Sequence, residues 1–240
     1  MAVVCLNGLT PAAITFKPLQ EVLANTPLVL HDLAVYSDKL GEDYGLETEF
    51  EALEQAIDAA GDDRAHLIGY SAGASVAIGY ALSNPRRVRS IAAVEPPFIG
   101  NDSSWGNEYR AFLTRLDRAL IELQGAERQR AFVRALITPW RTLPAPGEPP
   151  AWLAHRSHRQ EYLWQSLRRT PGPYDNLDRL SCPIYVPVGD QTHPAFKEIA
   201  ERLAAMCKAR VEVYAELDHF TAAHQAQPVR FARALGTLWG

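Results

Sequence analysis

Short apolar runs alternate along this chain with longer stretches of helical periodicity. Residues 2–6 are apolar and stop at Asn7 and Gly8, the pattern of a buried strand ending in a turn. Residues 27–31, 66–69, 88–94, 184–188 and 211–217 form five further runs of strand length. Between them the period changes. Leu46, Phe50, Leu53 and Ile57 recur at helical spacing, and residues 18–24, 72–82, 196–206 and 229–238 also predict helices, that at 72–82 ending before Asn84 and Pro85. Strands that alternate with helices require right-handed crossovers, so the expected fold is α/β: a three-layer αβα sandwich around a mostly parallel sheet of about six strands. Ligands in such sheets bind at the carboxyl ends of the strands.

One segment breaks the alternation. Residues 98–180 lack strand signals and carry Trp105, Tyr109, Phe112, Leu113, Leu116 and Leu120 on one helical stripe. Further helix is expected over 132–137 and 162–167, on either side of a stiff stretch at 144–150 that has Trp140 before it and Trp152 and Trp164 after it. The expected organisation is one domain: a core made of residues 1–97 and 181–240, with 98–180 inserted as a helical lid over the catalytic end of the sheet. No fixed-period repeat or low-complexity tract interrupts it.

Composition narrows the function classes. At 240 residues, with 47% hydrophobic and 22% charged positions, the chain can bury one sizeable core. A net charge of -4 offers no general attraction to phosphate backbones or anionic lipid, so neither nucleic acid nor membrane is an expected partner. Cys5, Cys182 and Cys207 are odd in number and form no Cys-x-x-Cys pair. With no positively charged segment ahead of the first apolar run, they point to a reduced, cytoplasmic setting. No heptad pattern argues for assembly, and the expectation is a monomer or homodimer.

The chemistry concentrates at residues 67–75, LIGYSAGAS. Here a strand runs into a helix through one turn with Ser71 at its apex, and Gly69 and Gly73 stand two positions to either side. A serine held in such a turn needs strained backbone angles and neighbours too small to collide. Composition alone would produce roughly 0.04 matches to G-x-S-x-G in a chain of this kind, which disfavours a merely glycine-loosened turn. His219 follows the last predicted strand and precedes a helix, where a loop can bring an imidazole beside Ser71. His224 is the fallback. His155 and His158 lie three residues apart, but no carboxylate or cysteine accompanies them at ligand spacing, and no metal site is expected.

Together the elbow Gly69-Tyr70-Ser71-Ala72-Gly73, the turn Asn7-Gly8-Leu9 and the late Leu217-Asp218-His219-Phe220 resemble the α/β-hydrolase superfamily, in its order and over nearly the whole chain. The resemblance implies Ser71 as nucleophile, His219 as general base, and the backbone N–H groups of Leu9 and Ala72 as an oxyanion hole. It also implies a sheet cut to six strands by loss of the family's first two. Asn7 stands where many members have histidine.

The acid departs from the usual pattern. Most members carry it in the loop after the penultimate strand, as in G-x-x-D, but here that loop reads Gly189-Asp190-Gln191-Thr192-His193 and Thr192 occupies the place. Asp190 is close by and is the alternative acid. Glu95, in Val94-Glu95-Pro96-Pro97, lies at the end of the strand after the nucleophile helix and is favoured, since a branch of small hydrolases carries E-P-P there. A dyad without an acid stays open.

A serine elbow implies acyl transfer without a cofactor, on a small-molecule carboxylic ester or related acyl bond. The alternatives are an acyltransferase or thioesterase, or a ligand-binding protein that keeps the pocket without turnover. The expected substrate pocket comprises Asn7, Tyr70, Phe98, Trp105, Tyr109, Phe112 and Phe220. Arg110, Arg115, Arg118, Arg128, Arg130, Arg134, Arg168 and Arg169 in the insertion either draw in an anionic substrate or form solvated helix faces.

Overall fold

The computed structural model describes residues 1–41, 43–100, 105–138, 142, 150–169 and 171–240. Six strands, β1 (Ala2–Leu6), β2 (Leu28–His31), β3 (Ala65–Tyr70), β4 (Val88–Val94), β5 (Ile184–Gly189) and β6 (Arg210–Tyr214), pair in parallel in the order β2-β1-β3-β4-β5-β6. The central strands β1, β3 and β5 are buried along their whole length because helices cover both faces of the sheet. The edge strand β6 alternates towards exposure.

The helices are α1 (Ala12–Thr15), α2 (Lys17–Val22), α3 (Leu46–Ala59), α4 (Ala72–Ser83), α5 (Asn107–Asp117), α6 (Gly125–Leu136), α7 (Ala151–Ser157), α8 (Gln160–Arg168), α9 (Pro194–Cys207), α10 (Ala223–Ala226) and α11 (Pro228–Trp239). Side chains that alternate along each strand separate two cores. Val4 and Leu67 join Leu53 of α3, Ala77 of α4 and Leu203 of α9 on one face, whereas Val3, Cys5 and Ile68 join Leu19 of α2 and Phe231 of α11 on the other. Strand order reverses between β1 and β3, so the crevice beyond their carboxyl ends is where a ligand is expected. It receives the loop after Leu6 from one side and Ser71 from the other.

The structure departs from the sequence expectation at the end of the last strand and within the insertion, where α6 starts at Gly125 rather than near 132. β6 ends at Tyr214 rather than near Leu217, because Glu216 turns the chain out of extended geometry at φ 63. The stretch between β4 and β5 is helical as expected in α5, α6 and α8, but Ile137 at the end of α6 makes one antiparallel bridge to Thr192. Trp140 and positions 144–149 lie outside the described residues. Among the described residues no helix is long and apolar enough to cross a membrane.

Candidate active site

Ser71 sits at the β3–α4 junction with φ 55 and ψ -131, backbone angles that an L-residue reaches only under constraint. The constraint comes from close packing on both sides. A Cβ at Gly69 would lie 2.4 Å from the Ala74 Cα, and one at Gly73 would lie 2.4 Å from the Leu6 carbonyl oxygen. Any side chain at either position would force the turn open, so the two glycines hold the strained serine in place. The Ser71 N–H donates to the Val94 carbonyl at 3.0 Å, which ties the elbow to the end of β4.

The His219 imidazole spans from serine to glutamate. Its Nε2 is 3.2 Å from Ser71 Oγ and its Nδ1 is 3.0 Å from Glu95 Oε2. Both His219 and Glu95 are buried, with side chains 2% and 1% exposed. Several local devices aim the ring. Asp218 caps the turn Residues 219–221 form, its Oδ1 accepting the N–H groups of Phe220 at 2.9 Å and Thr221 at 3.0 Å. Phe196 of α9 stacks on the imidazole with centroids 4.7 Å apart and planes 18° from parallel. The Tyr70 hydroxyl donates to the His219 carbonyl from the other side.

A buried carboxylate is costly unless its oxygens are hydrogen-bonded. Glu95 meets that requirement: Oε1 accepts the Gly189 N–H at 2.9 Å, and Oε2 accepts the Thr192 hydroxyl at 3.1 Å as well as facing His219. Glu95 itself adopts φ 46, an uncommon angle for a non-glycine residue, and the turn it makes aims its side chain across the ends of β4 and β5. These strands are neighbours, so a carboxylate from either loop can reach the same imidazole. Thr192, at the position where the usual pattern has the acid, instead donates its hydroxyl to Glu95 on the adjoining strand.

Asp190 is exposed and directed elsewhere. Its Oδ1 accepts the Glu216 N–H at 2.7 Å, which makes it a turn aspartate between β5 and β6. His224 is fully buried beside Tyr70 and Phe16, with ring centroids 4.8 and 4.9 Å away, and neither ring nitrogen has a hydrogen-bond partner. Burial, reinforced by the neighbouring His219, lowers its pKa to about 3, so it is neutral and packs as an aromatic side chain. His155 pairs with Asp38 at 3.2 Å, and among the described residues no cluster of three or more His, Cys, Asp or Glu stands ready to hold a metal ion.

Leu9 and Ala72 flank Ser71 in one small apolar cavity of about 40 Å³, walled by Tyr36, Leu116, Leu120, Phe132, Leu163 and Trp164 among others. The first amides of a helix have no intrahelical acceptor, so the Ala72 N–H at the start of α4 is available to an anion. Gly8 lets the loop approach: a Cβ there would lie 3.3 Å from the Ala72 nitrogen.

The seven residues expected to line the pocket do not line this cavity, and each has another position. Asn7 is buried with both carboxamide atoms unpartnered. Tyr70 lies behind His219. Phe98 packs edge-on against Trp164 and Tyr174. Phe112 packs against Phe196, and Phe220 is 43% exposed. Trp105 and Tyr109 belong to a larger groove of about 980 Å³ on the opposite side of α5 and α8, which contains none of Ser71, His219 and Glu95. Position along the apolar stripe accounts for the difference. Leu116 and Leu120 line the cavity beside Ser71, whereas Tyr109 and Leu113, one to three turns earlier on the same stripe, line the larger groove.

Several of the insertion's arginines are structural cross-links. Arg128 pairs with Glu161 at 3.0 Å, Arg168 with Asp117 at 2.9 Å, and Arg115 contacts His193 Nε2 at 2.7 Å. Arg156, which had no role in the sequence reading, grips Asp32 at 3.2 and 2.6 Å and reaches the Leu9 carbonyl at 3.4 Å.

Comparison with known proteins gives a consistent picture. A model described as the alpha/beta hydrolase family matches residues 3–234. Among solved structures, a hydrolase from Pseudomonas aeruginosa PA01 superposes with a TM-score of 0.68 at 19% identity, over 100% of this chain and 90% of that one. A mutant of the meta-cleavage product hydrolase from Pseudomonas fluorescens IP01 gives 0.64 at 17%, over 100% and 90%. The carboxylesterase CesB from Bacillus subtilis gives 0.65 at 15%, over 99% and 82%. At these identities the likeness is one of fold. No curated protein matches the chain.

Proposed function

Because this chain belongs to the alpha/beta hydrolase family, we propose that it is a serine hydrolase that cleaves carboxylic esters through an acyl-enzyme on Ser71. The observation that carries the reading is the continuous relay from Ser71 Oγ through His219 to Glu95, with links of 3.2 and 3.0 Å. A neutral hydroxyl is a weak nucleophile and needs a base within hydrogen-bond reach.

In the first half-reaction His219 Nε2 takes the Ser71 proton as Oγ bonds to the ester carbonyl carbon. The carbonyl oxygen becomes an oxyanion that accepts the Leu9 and Ala72 N–H groups. Collapse breaks the bond to the alcohol, which leaves with the proton from His219. Water then attacks the acyl-enzyme by the same route and releases the acid and free Ser71. Glu95 stabilises the imidazolium in both halves and holds the Nδ1 proton, so that Nε2 is the basic nitrogen. Each oxyanion donor is worth about 3 kcal/mol in the transition state.

The Glu95–His219 distance also argues against a ligand-binding protein without turnover, since such a protein gains nothing from a buried carboxylate aimed at its histidine. The test is intact-mass analysis after exposure to a small fluorophosphonate. Wild type is expected to gain one adduct, Ser71→Ala none, and Glu95→Gln one formed more slowly. Equal labelling of Ser71→Ala, or a folded wild type that never labels, would overturn the assignment.

A further inference from the structure

The loop that carries the Leu9 N–H has little backbone pairing of its own. The sheet fixes its entry, where Leu6 pairs with His31 of β2 on one side and Gly69 of β3 on the other. Beyond that point Gly8, Leu9 and Thr10 make no backbone–backbone hydrogen bond among the described residues. A donor stabilises an oxyanion fully only when it is already aimed at it, because turning it during the reaction forfeits the gain. Side chains must therefore hold the loop.

Two of them do, and they act together. Asp32 Oδ1 accepts the Ala12 N–H at 2.8 Å, which pins the loop's exit at the start of α1. Arg156 of α7 meets the same carboxylate with both arms of its guanidinium, Nη1 to Oδ1 at 3.2 Å and Nη2 to Oδ2 at 2.6 Å, and Nη1 also reaches the Leu9 carbonyl at 3.4 Å. The middle of the loop and its end are tied through one forked ion pair, a contact stronger than a single neutral hydrogen bond. Asp32 is 42% exposed, but Arg156 is only 11% exposed and its guanidinium lies over the Tyr36 ring, 4.8 Å from the centre. The wall beneath it is firm as well. Arg159 donates to the carbonyls of Val35 and Ser37, and the buried Glu49 carboxylate accepts the N–H groups of Ala34 and Val35 at 2.7 and 2.8 Å.

Resting on the serine-hydrolase reading, we infer that Arg156 is a positioning residue for the oxyanion hole: from α7, within the insertion, it keeps the Leu9 N–H aimed at the substrate carbonyl. It touches no reacting atom and acts through Asp32 and the Leu9 loop. Negative charge gathers on the carbonyl oxygen only as Ser71 attacks, so the transition state depends on this aim far more than the bound ester does. Loss of the contact therefore lowers kcat and leaves KM nearly unchanged.

The experiment uses the full chain and measures kcat and KM for p-nitrophenyl acetate and for its thiono analogue, in which a sulfur that accepts hydrogen bonds poorly replaces the carbonyl oxygen. Arg156→Gln is expected to lower kcat for the oxygen ester about fivefold with KM within about twofold, and to slow the thionoester much less, so that the preference for oxygen shrinks. Arg156→Lys keeps the charge but not the fork, and its kcat should fall between the two. It carries the test if Arg156→Gln fails to fold, and wild-type kinetics in it would then overturn the inference. Arg156→Gln combined with Asp32→Asn should be no slower than the slower single variant, because both act through one contact. His155→Gln, which breaks the exposed pair with Asp38 on the same helix, should keep wild-type kinetics. Unchanged kcat in a folded Arg156→Gln, an equal loss on both esters, or the same loss in His155→Gln would overturn the role of Arg156, while fluorophosphonate labelling of wild type left the hydrolase reading standing. A wild type that neither labels nor turns over either ester would overturn that reading and this inference with it.

Discussion

Replacing Glu95 with glutamine tests the assignment of the carboxylate that faces His219. The Gly189 N–H points at Oε1 from 2.9 Å and accepts nothing, so the introduced carboxamide must turn its oxygen towards Gly189. Its NH₂ then faces His219 Nδ1, 3.0 Å from the atom it replaces, and the Thr192 hydroxyl at 3.1 Å. A donor against Nδ1 forces the imidazole proton onto Nε2, where it faces Ser71 and cannot accept the serine proton. The charge that stabilises the imidazolium is lost at the same time. In serine proteases the corresponding change lowers turnover about 10⁴-fold, equivalent to about 5 kcal/mol of barrier. We expect a loss of 10³- to 10⁴-fold in kcat for an acetyl ester, with KM changed little and the urea midpoint retained. Asp190→Asn should stay within about threefold, because its carboxylate caps the Glu216 N–H and makes no contact with the imidazole. The assay is steady-state ester hydrolysis, with circular dichroism to verify folding. If Glu95→Gln keeps more than a tenth of the activity while Asp190→Asn loses a thousandfold, the assignment of the acid is refuted.

Other perturbations follow from the same contacts. Thr192→Val removes one donor to the buried Glu95 carboxylate, a bond to a charged group worth about 1.5–3 kcal/mol, and should lower kcat about tenfold; unchanged kinetics would show the contact to be idle. Gly73→Ala drives a Cβ to 2.4 Å from the Leu6 carbonyl and should destabilise the fold by about 2 kcal/mol or more, read from urea melts. Arg156→Gln releases Asp32 and the Leu9 carbonyl. With Asp32 42% exposed, the stability cost should be only about 1 kcal/mol, while kcat falls several-fold through the loosened Leu9 loop. For pH, His224 is buried neutral with a pKa of about 3 against about 6.5 unfolded, so between those values the unfolded chain binds a proton that the folded one does not. Stability from this group therefore falls as pH drops, by about 2 kcal/mol between pH 6.5 and 5. His224→Phe should flatten the wild-type slope by that amount, and equal slopes in urea melts at pH 7 and 5 would contradict it.

The strand and helix sequence was legible in the chain because its pattern is local. A run such as Val3-Val4-Cys5, apolar on every side and stopped by Asn7 and Gly8, has the length and ending of a strand buried on both faces. The Gly69-x-Ser71-x-Gly73 spacing was equally plain, since the steric demand of the elbow falls on residues two positions away. The histidine after the last strand followed from chain order.

Which carboxylate faces that histidine depended on distance in space. Glu95 and Asp190 end adjacent parallel strands, and sequence alone allows either; the choice rests on the turn at Glu95 and on Thr192 and Gly189 donating to its oxygens across the strand gap. The pocket residues also required the tertiary structure. An amphipathic helix shows in its sequence which side is apolar, but α5 and α8 each present apolar residues to two cavities. Only packing decided that Leu116, Leu163 and Trp164 turn towards the serine while Trp105 and Tyr109 turn away. Local pattern therefore specified the scaffold and the strained turn at Ser71. The Glu95–His219 contact and the apolar cavity beside Ser71 arise from contacts between residues far apart in the chain, which periodicity does not encode.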